Sequence, residues 1–209
     1  MLNYQGKIVK ILFILITCLT SNANDQFDPA KLLKMGKKLV NSDPAKAVEL
    51  LERAYLVRYP KSDIQKGVYK AFIAACNKAL DNKNYKQLIQ FVDKAIALGL
   101  PQPHNFMVFL MIASHDQGNY NRCIDYANLI LRKDKNHDEA LYFRGKSRSV
   151  LKSYKKAILD LTKISENFNQ VGRRASLVLL GDAYYHSGNF DLALSTVQAA
   201  QNMKASQDV

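Results

Sequence analysis

One position recurs along this chain at an almost constant interval. It lies in the second of two consecutive apolar segments and is occupied by Ala47, Leu88, Cys123, Ala157 and Ala193. The intervals are 41, 35, 34 and 36 residues. A fixed period of this size indicates stacked supersecondary units that bury their apolar faces against one another. Because the apolar spacing is helical almost throughout, with no strand-like alternation, the sequence predicts an all-α array of about five units.

The clearest unit spans residues 174–207. Two helical segments are separated by Gly188 and Asn189, which favour a turn. Gly181 in the first segment and Ala193 in the second are small, so the two helices can cross closely there. The positions that carry the pattern are Leu177, Leu180, Gly181, Tyr184, Ala193, Val197 and Ala200.

This pattern resembles the tetratricopeptide repeat (TPR), in which Trp-x2-Leu-Gly-x2-Tyr is followed by Ala-x3-Phe. Leu177 stands where the family has tryptophan, and Val197 where it has phenylalanine. The resemblance implies a right-handed α-α superhelix, a solenoid of helix-turn-helix units, as a single domain over residues 24–209. The predicted units are approximately 28–60, 69–103, 104–137, 138–171 and 174–207.

Two Asp-Pro pairs predict where the first two helices begin. Asp28 precedes Pro29 and Asp43 precedes Pro44. A carboxylate can cap a helix N-terminus, and proline fits the first turn because its missing N–H is not needed there. The longer first interval is explained by a polar, proline-containing link around Pro60.

The first 23 residues have the layout of a secretory signal peptide. Residues 1–10 contain two lysines and no acid, residues 11–19 are the apolar run ILFILITCL, and small residues stand at Ser21 and Ala23. The apolar run is too short to cross a bilayer, which takes about 20 residues. We therefore expect cleavage after Ala23 and export to a bacterial periplasm, although the same signal would serve a eukaryotic secretory route.

Lipoprotein processing is the open alternative for this segment. Residues 15–18 (LITC) resemble a lipobox ending in Cys18, with Thr17 where glycine, alanine or serine is usual. Acylation of Cys18 would make the chain an outer-membrane lipoprotein, and only in that case do we expect membrane contact.

The net charge of +12 favours acidic partners or anionic surfaces. Because export is predicted, we expect no nucleic-acid partner. The positive charge is concentrated between Glu139 and Asp160, where no acidic residue intervenes. This basic patch consists of Arg144, Lys146, Arg148, Lys152, Lys155 and Lys156.

The sequence contains no catalytic pattern. The four histidines, His104, His115, His137 and His186, lie far apart and lack metal-ligand spacing with cysteines or acids. There is also no glycine-rich phosphate loop. We therefore predict neither enzymatic activity, nor a metal, nor a cofactor. After signal cleavage Cys76 and Cys123 remain, either as small buried side chains or as a disulfide.

The TPR resemblance implies that first helices line a concave groove that holds a peptide of a partner protein. Aromatic and apolar residues with a few polar groups suit such a surface. The predicted groove residues are Ile73, Asn77, Val108, Ile112, His115, Tyr142, Lys146, Ser149, Val178, Asp182 and Tyr185.

The last helix carries apolar residues that would need a cover, because a solenoid usually ends in a polar capping helix. They include Leu192, Leu194, Val197 and Met203, and we expect a partner or a second copy to cover them. Together these features predict an adaptor or scaffold in a cell-envelope assembly, such as pilus, secretion or outer-membrane machinery. The alternatives are a periplasmic holdase chaperone for exported subunits and a protein associated with cell-wall polysaccharide.

Overall fold

A computed structural model describes residues 28–56, 62–101 and 103–205. The predicted signal segment, Cys18 and the link around Pro60 lie outside these residues. In the described part the chain forms ten α-helices and no strand. They are α1 (Pro29–Leu39), α2 (Pro44–Leu56), α3 (Ser62–Asp81), α4 (Tyr85–Ala97), α5 (Pro103–Asp116), α6 (Tyr120–Lys133), α7 (Asp138–Val150), α8 (Tyr154–Leu161), α9 (Gln170–His186) and α10 (Phe190–Ala205).

The chain divides into two compact units, with the boundary between Val68 and Tyr69 inside α3. In the first unit α1 packs against α2. The Asp28 carboxylate accepts a hydrogen bond from the backbone N–H of Ala30 at 2.9 Å. The Asp43 carboxylate accepts one from the N–H of Lys46 at 3.1 Å. Both Asp-Pro pairs therefore cap helices, as their sequence indicates.

In the second unit each helix from α4 to α10 packs against the next. In addition α5 packs against α7, and α7 against α9. These three are the first helices of consecutive pairs, so their side chains form a continuous surface. Beneath it lies an apolar core, whose buried members include Met111, Cys123, Ile130, Leu141, Ala157 and Leu161.

The turns within the α3–α4, α5–α6, α7–α8 and α9–α10 pairs each have a residue with positive φ at an equivalent place. Lys83 and Lys152 have φ values of 54° and 57°, and Gly118 and Gly188 have values of 76° and 79°. Glycine adopts this left-handed conformation without steric cost, whereas a lysine there is strained. Lys83 and Lys152 therefore adopt the same turn geometry as the two glycines, although a lysine in the sequence does not predict it.

Two glycines allow close helix crossing. A β-carbon added at Gly145 on α7 would lie 2.8 Å from Leu161 on α8, and one at Gly181 on α9 would lie 2.7 Å from Val197 on α10.

Cys76 and Cys123 are buried and free, so the structure contains no disulfide between them. Burial raises the pKa of the Cys76 thiol to about 12, which makes it unreactive near neutral pH.

Candidate functional site

A cleft of about 410 Å³ opens between α7, α9 and the C-terminal part of α10. Most of its lining is apolar or aromatic, which is the usual character of a binding site for a small group or side chain. Its walls are formed by Tyr142, Gln170, Val171, Arg174, Ala175, Val178, Leu179 and Met203.

Two of the large apolar side chains that line the cleft are exposed. Val171 is 76% exposed and Val178 is 50% exposed, and both lie on α9. Asn169 caps the N-terminus of α9, because its side chain accepts a hydrogen bond from the N–H of Gly172 at 2.9 Å. The helix therefore starts at Gln170, one turn before the repeat limit predicted at residue 174.

One cation, Arg174, lies in the cleft wall, and another, Lys146, lies beside the wall residue Tyr142. Neither has an ion-pair partner within the described part of the chain. The Lys146 ammonium lies 5.8 Å from the ring centres of both Tyr142 and Phe143, a cation–π distance. Arg174 is exposed in the cleft wall. Its neighbour Arg173 differs, because it donates to the Ser165 carbonyl at 3.0 Å and contacts Glu166 at 3.5 Å.

The predicted groove residues separate into several places. Tyr142 and Val178 line the cleft. Val108 and Ile112 are half-buried and pack against the core of the second unit. On α3, Ile73 is half-buried and Asn77 is exposed. Neither lines the cleft, and their predicted role in binding stays a prediction.

Asp182 and Tyr185 lie towards the other end of α9, within an aromatic cluster. The rings of Tyr154 and His186 are stacked with centres 4.7 Å apart, and Tyr185 contacts His186 edge-on at 5.4 Å. Phe190 continues the cluster at 5.6 Å from Tyr185, and Asp182 lies 3.5 Å from His186. This cluster does not line the cleft. Both predicted groove residues in it are exposed.

Ser149 is half-buried on α7, and its hydroxyl oxygen is buried without a hydrogen-bond partner in the described residues. Sequence reasoning missed six of the eight cleft residues. Gln170 and Val171 precede residue 174, where the last unit was predicted to begin. Arg174, Ala175 and Leu179 lie within that unit but were not assigned to the groove, and Met203 was treated only as part of an uncovered end. The pairing of Asn169 with an apolar segment after it was the available signal for the earlier start.

His115 was predicted to line the groove, but the structure buries it. It is only 8% exposed, and its Nδ1 lies 3.0 Å from the Ser147 hydroxyl. Its ring contacts Phe143 and Tyr120 edge-on, at centre distances of 5.5 Å and 5.3 Å. His115 therefore fills the seam between α5, α6 and α7 and presents little surface to a ligand.

Protonation of His115 is expected to destabilise the fold. Burial, and secondarily the positive charge of Lys146, lower the pKa of His115, against a smaller opposing effect of Asp116. The unfolded chain binds this proton more readily, so the free energy of unfolding should fall as the pH drops below about 6.5. Urea unfolding at about pH 7.5 and about pH 5.5 measures this loss. His115→Gln should show a smaller loss, and an equal loss in both proteins would contradict the assignment.

The predicted basic patch also needs correction. Arg144 donates to both oxygens of Asp160, at 3.0 and 2.6 Å, and to the Asn128 side-chain oxygen at 2.7 Å. Arg148 donates to Asp160 at 2.6 Å and to the Lys156 carbonyl at 3.3 Å. These two arginines join helices within the core and are not free surface cations. Lys152, Lys155 and Lys156 are exposed. Lys146 is half-buried, and its ammonium lies beside the ring of the cleft residue Tyr142.

The C-terminal helix α10 exposes apolar side chains, among them Leu192 at 49% and Leu194 at 62%. The predicted self-association through this end stays a prediction.

Over residues 28–56, 62–101 and 103–205, no group of three or more His, Cys, Asp or Glu side chains is arranged to hold a metal ion. No helix in the same residues has the length and apolar character needed to cross a membrane.

No family model matches the sequence, and no curated protein is significantly similar to it. Solved structures do share its fold. A MamA double mutant from RS-1 superimposes with a TM-score of 0.65 at 16% identity, covering 87% of this chain and 97% of MamA. MamA from Desulfovibrio magneticus RS-1, from residue 41 to its end, gives 0.63 at 17% identity, with 87% and 98% covered.

YrrB, described as a TPR protein with an unusual peptide-binding site, has a fold about as similar to this chain as the folds of the MamA structures are. Its TM-score is 0.62 at 14% identity, and the match covers 87% of this chain and 89% of YrrB. These likenesses confirm the predicted fold class, an α-α solenoid of TPR helix pairs. At such low identity they show the fold alone.

Proposed function

We propose that this protein is an interaction scaffold that binds a peptide segment of a partner protein in the cleft between α7, α9 and α10. The exposed apolar lining carries the proposal, because a soluble protein rarely leaves a concave apolar surface open without a ligand. Tyr142 provides a rigid aromatic wall, and aromatic residues supply much of the binding energy at interfaces. The shared fold of YrrB, a protein with a peptide-binding site, supports the same class of function.

The size of the cleft sets what it can hold. Its volume of about 410 Å³ is near the lower end of the range for ligand pockets. One or two large side chains of a peptide would fill it, whereas a folded domain would need a broader surface. We therefore propose anchoring by a short segment, with no catalytic step.

The place of action is also proposed from the sequence. The lysine-containing and apolar layout of residues 1–23 supports export, and an exported interaction scaffold fits a cell-envelope assembly in a bacterial periplasm. The exposed lysines Lys152, Lys155 and Lys156 do not line the cleft and offer a second, electrostatic contact in such an assembly.

A charge placed in the cleft should abolish peptide binding. Val178→Asp would put a carboxylate against the apolar lining, and desolvating it on binding is costly. Peptides selected from a random displayed library on the whole 209-residue chain should bind this variant at least about tenfold more weakly, as measured by fluorescence anisotropy.

Leu159→Asp is the matched control for this experiment. Leu159 is an apolar residue on α8 that is 61% exposed, and it does not line the cleft. This variant should bind the selected peptides with unchanged affinity. Equal binding by wild type and Val178→Asp, with both melting at the same temperature, would reject the cleft as the binding site.

A further inference from the structure

The positively charged side chains of α7 and α9 fall into two groups, those that have a partner within the protein and those that have no carboxylate partner. Arg144 and Arg148 on α7 are held by Asp160, and Arg173 on α9 is held by Ser165 and Glu166. Lys146 on α7 and Arg174 on α9 have no carboxylate partner among the residues that the structure describes. The two unpaired cations thus come from two of the helices that line the cleft.

The positions of these two cations tie them to the apolar lining. Arg174 belongs to the wall itself. The Lys146 ammonium lies 5.8 Å from the ring centre of Tyr142, which is another wall residue. Lysine has three hydrogen-bond donors, and a cation–π contact with a ring face leaves donors available. Arginine offers a planar fork that binds a carboxylate through two parallel hydrogen bonds.

We propose that the occupant of the cleft is an acidic peptide segment, in which a large apolar side chain enters the cleft and neighbouring Asp or Glu side chains pair with Lys146 and Arg174. This inference rests on the proposed function and adds the chemistry of the partner. Charge complementarity carries it, since a carboxylate next to the apolar anchor would satisfy both cations, whereas a basic segment would be repelled by them.

The probes for this inference are synthetic peptides that share one apolar sequence and differ only in their flanking residues, which are Glu, Gln or Lys. The whole chain is titrated with each peptide. Glu-flanked peptides should bind about tenfold more tightly than Gln-flanked ones, and Lys-flanked peptides most weakly. The preference for Glu should shrink at about 1 M salt, because screening weakens exposed charge pairs.

Charge-reversal variants locate the effect. Arg174→Glu should lose about tenfold in affinity for Glu-flanked peptides and should now prefer Lys-flanked ones. Lys146→Glu should shift the preference in the same direction. Lys155→Glu is the control, because Lys155 is an exposed lysine on α8 that does not line the cleft, and its preference should equal that of wild type.

The outcomes separate this inference from the proposed function. Equal binding of Glu-flanked and Lys-flanked peptides to wild type, with binding still lost in Val178→Asp, would overturn the acidic partner and retain the peptide cleft. A shift in preference caused by Lys155→Glu and not by Arg174→Glu would move the acidic contact to the exposed lysines and overturn the inference as well. Failure of every peptide to bind, or binding unaffected by Val178→Asp, would overturn both.

Discussion

Asp160→Asn is expected to lower the free energy of unfolding by about 3 kcal/mol. The Asp160 side chain is 3% exposed and accepts hydrogen bonds from Arg144 and Arg148, which are 17% and 19% exposed. Breaking a buried ion pair by removing one partner is costly because the remaining charge stays desolvated and uncompensated. Here two guanidinium groups would be left facing a neutral amide.

Chemical unfolding of the variant and the wild type measures this loss. Glu166→Gln is the control, because Glu166 is 92% exposed and its contact with Arg173 is 3.5 Å long. An exposed pair of this kind contributes about 0–1 kcal/mol, so the control should unfold close to wild type. A similar small effect in both variants would show that the cluster does not hold α7 to α8.

A further variant distinguishes the loss of the pair from a general intolerance of change at this site. Replacing Asp160 with leucine and both Arg144 and Arg148 with methionine removes every charge of the cluster at once. Buried ion pairs are often replaceable by apolar side chains of similar volume without loss of stability. The triple replacement should therefore recover most of the stability that Asp160→Asn loses.

Gly145→Ala is expected to cost about 2 kcal/mol of stability. The new β-carbon would lie 2.8 Å from both Cγ and Cδ2 of Leu161, closer than carbon atoms can pack. Leu161 is 3% exposed and is enclosed by the core, so it cannot move aside. Overpacking should thus outweigh the gain in helix propensity that alanine normally brings over glycine.

Gly67→Ala adds the same carbon where space is available. Its β-carbon would meet only the Lys37 side chain, at 3.4 Å, and the end of that chain is flexible. The change should stabilise α3 by about 0.5–1 kcal/mol. Thermal unfolding of the two variants should therefore move in opposite directions, and equal shifts would show that the close crossing at Gly145 is not limiting.

The helices themselves were largely predictable from sequence. Asp28 and Asp43 cap the helices that their Asp-Pro pairs predict, and Gly118 and Gly188 have the positive φ that a tight turn requires. Lys83 and Lys152 adopt the same conformation without any local preference for it. Packing of the helices on either side fixes those turns, so their geometry could not be predicted from residue type.

The candidate site was predictable only in part. Tyr142 and Val178, which line the cleft, were predicted because the TPR resemblance implies that first helices line the concave groove. Val171 was missed because the start of α9 depends on the cap at Asn169. Arg174 and Met203 lie inside the predicted last unit, at positions that were not assigned to the groove. His115 was misplaced, since periodicity gives a helix face and not the neighbour that covers it.

The sequence by itself determined the all-α repeat, its period and its close glycine crossings, because these depend on local helix formation and on side-chain size at fixed spacing. Only the tertiary structure decided which charges remain available. Arg144 and Arg148 both pair with Asp160 from the following helix, whereas Lys146 and Arg174 have no carboxylate partner in the described residues. Residues distant in sequence form or fail to form these pairs, so the pairing becomes visible once the helices are packed.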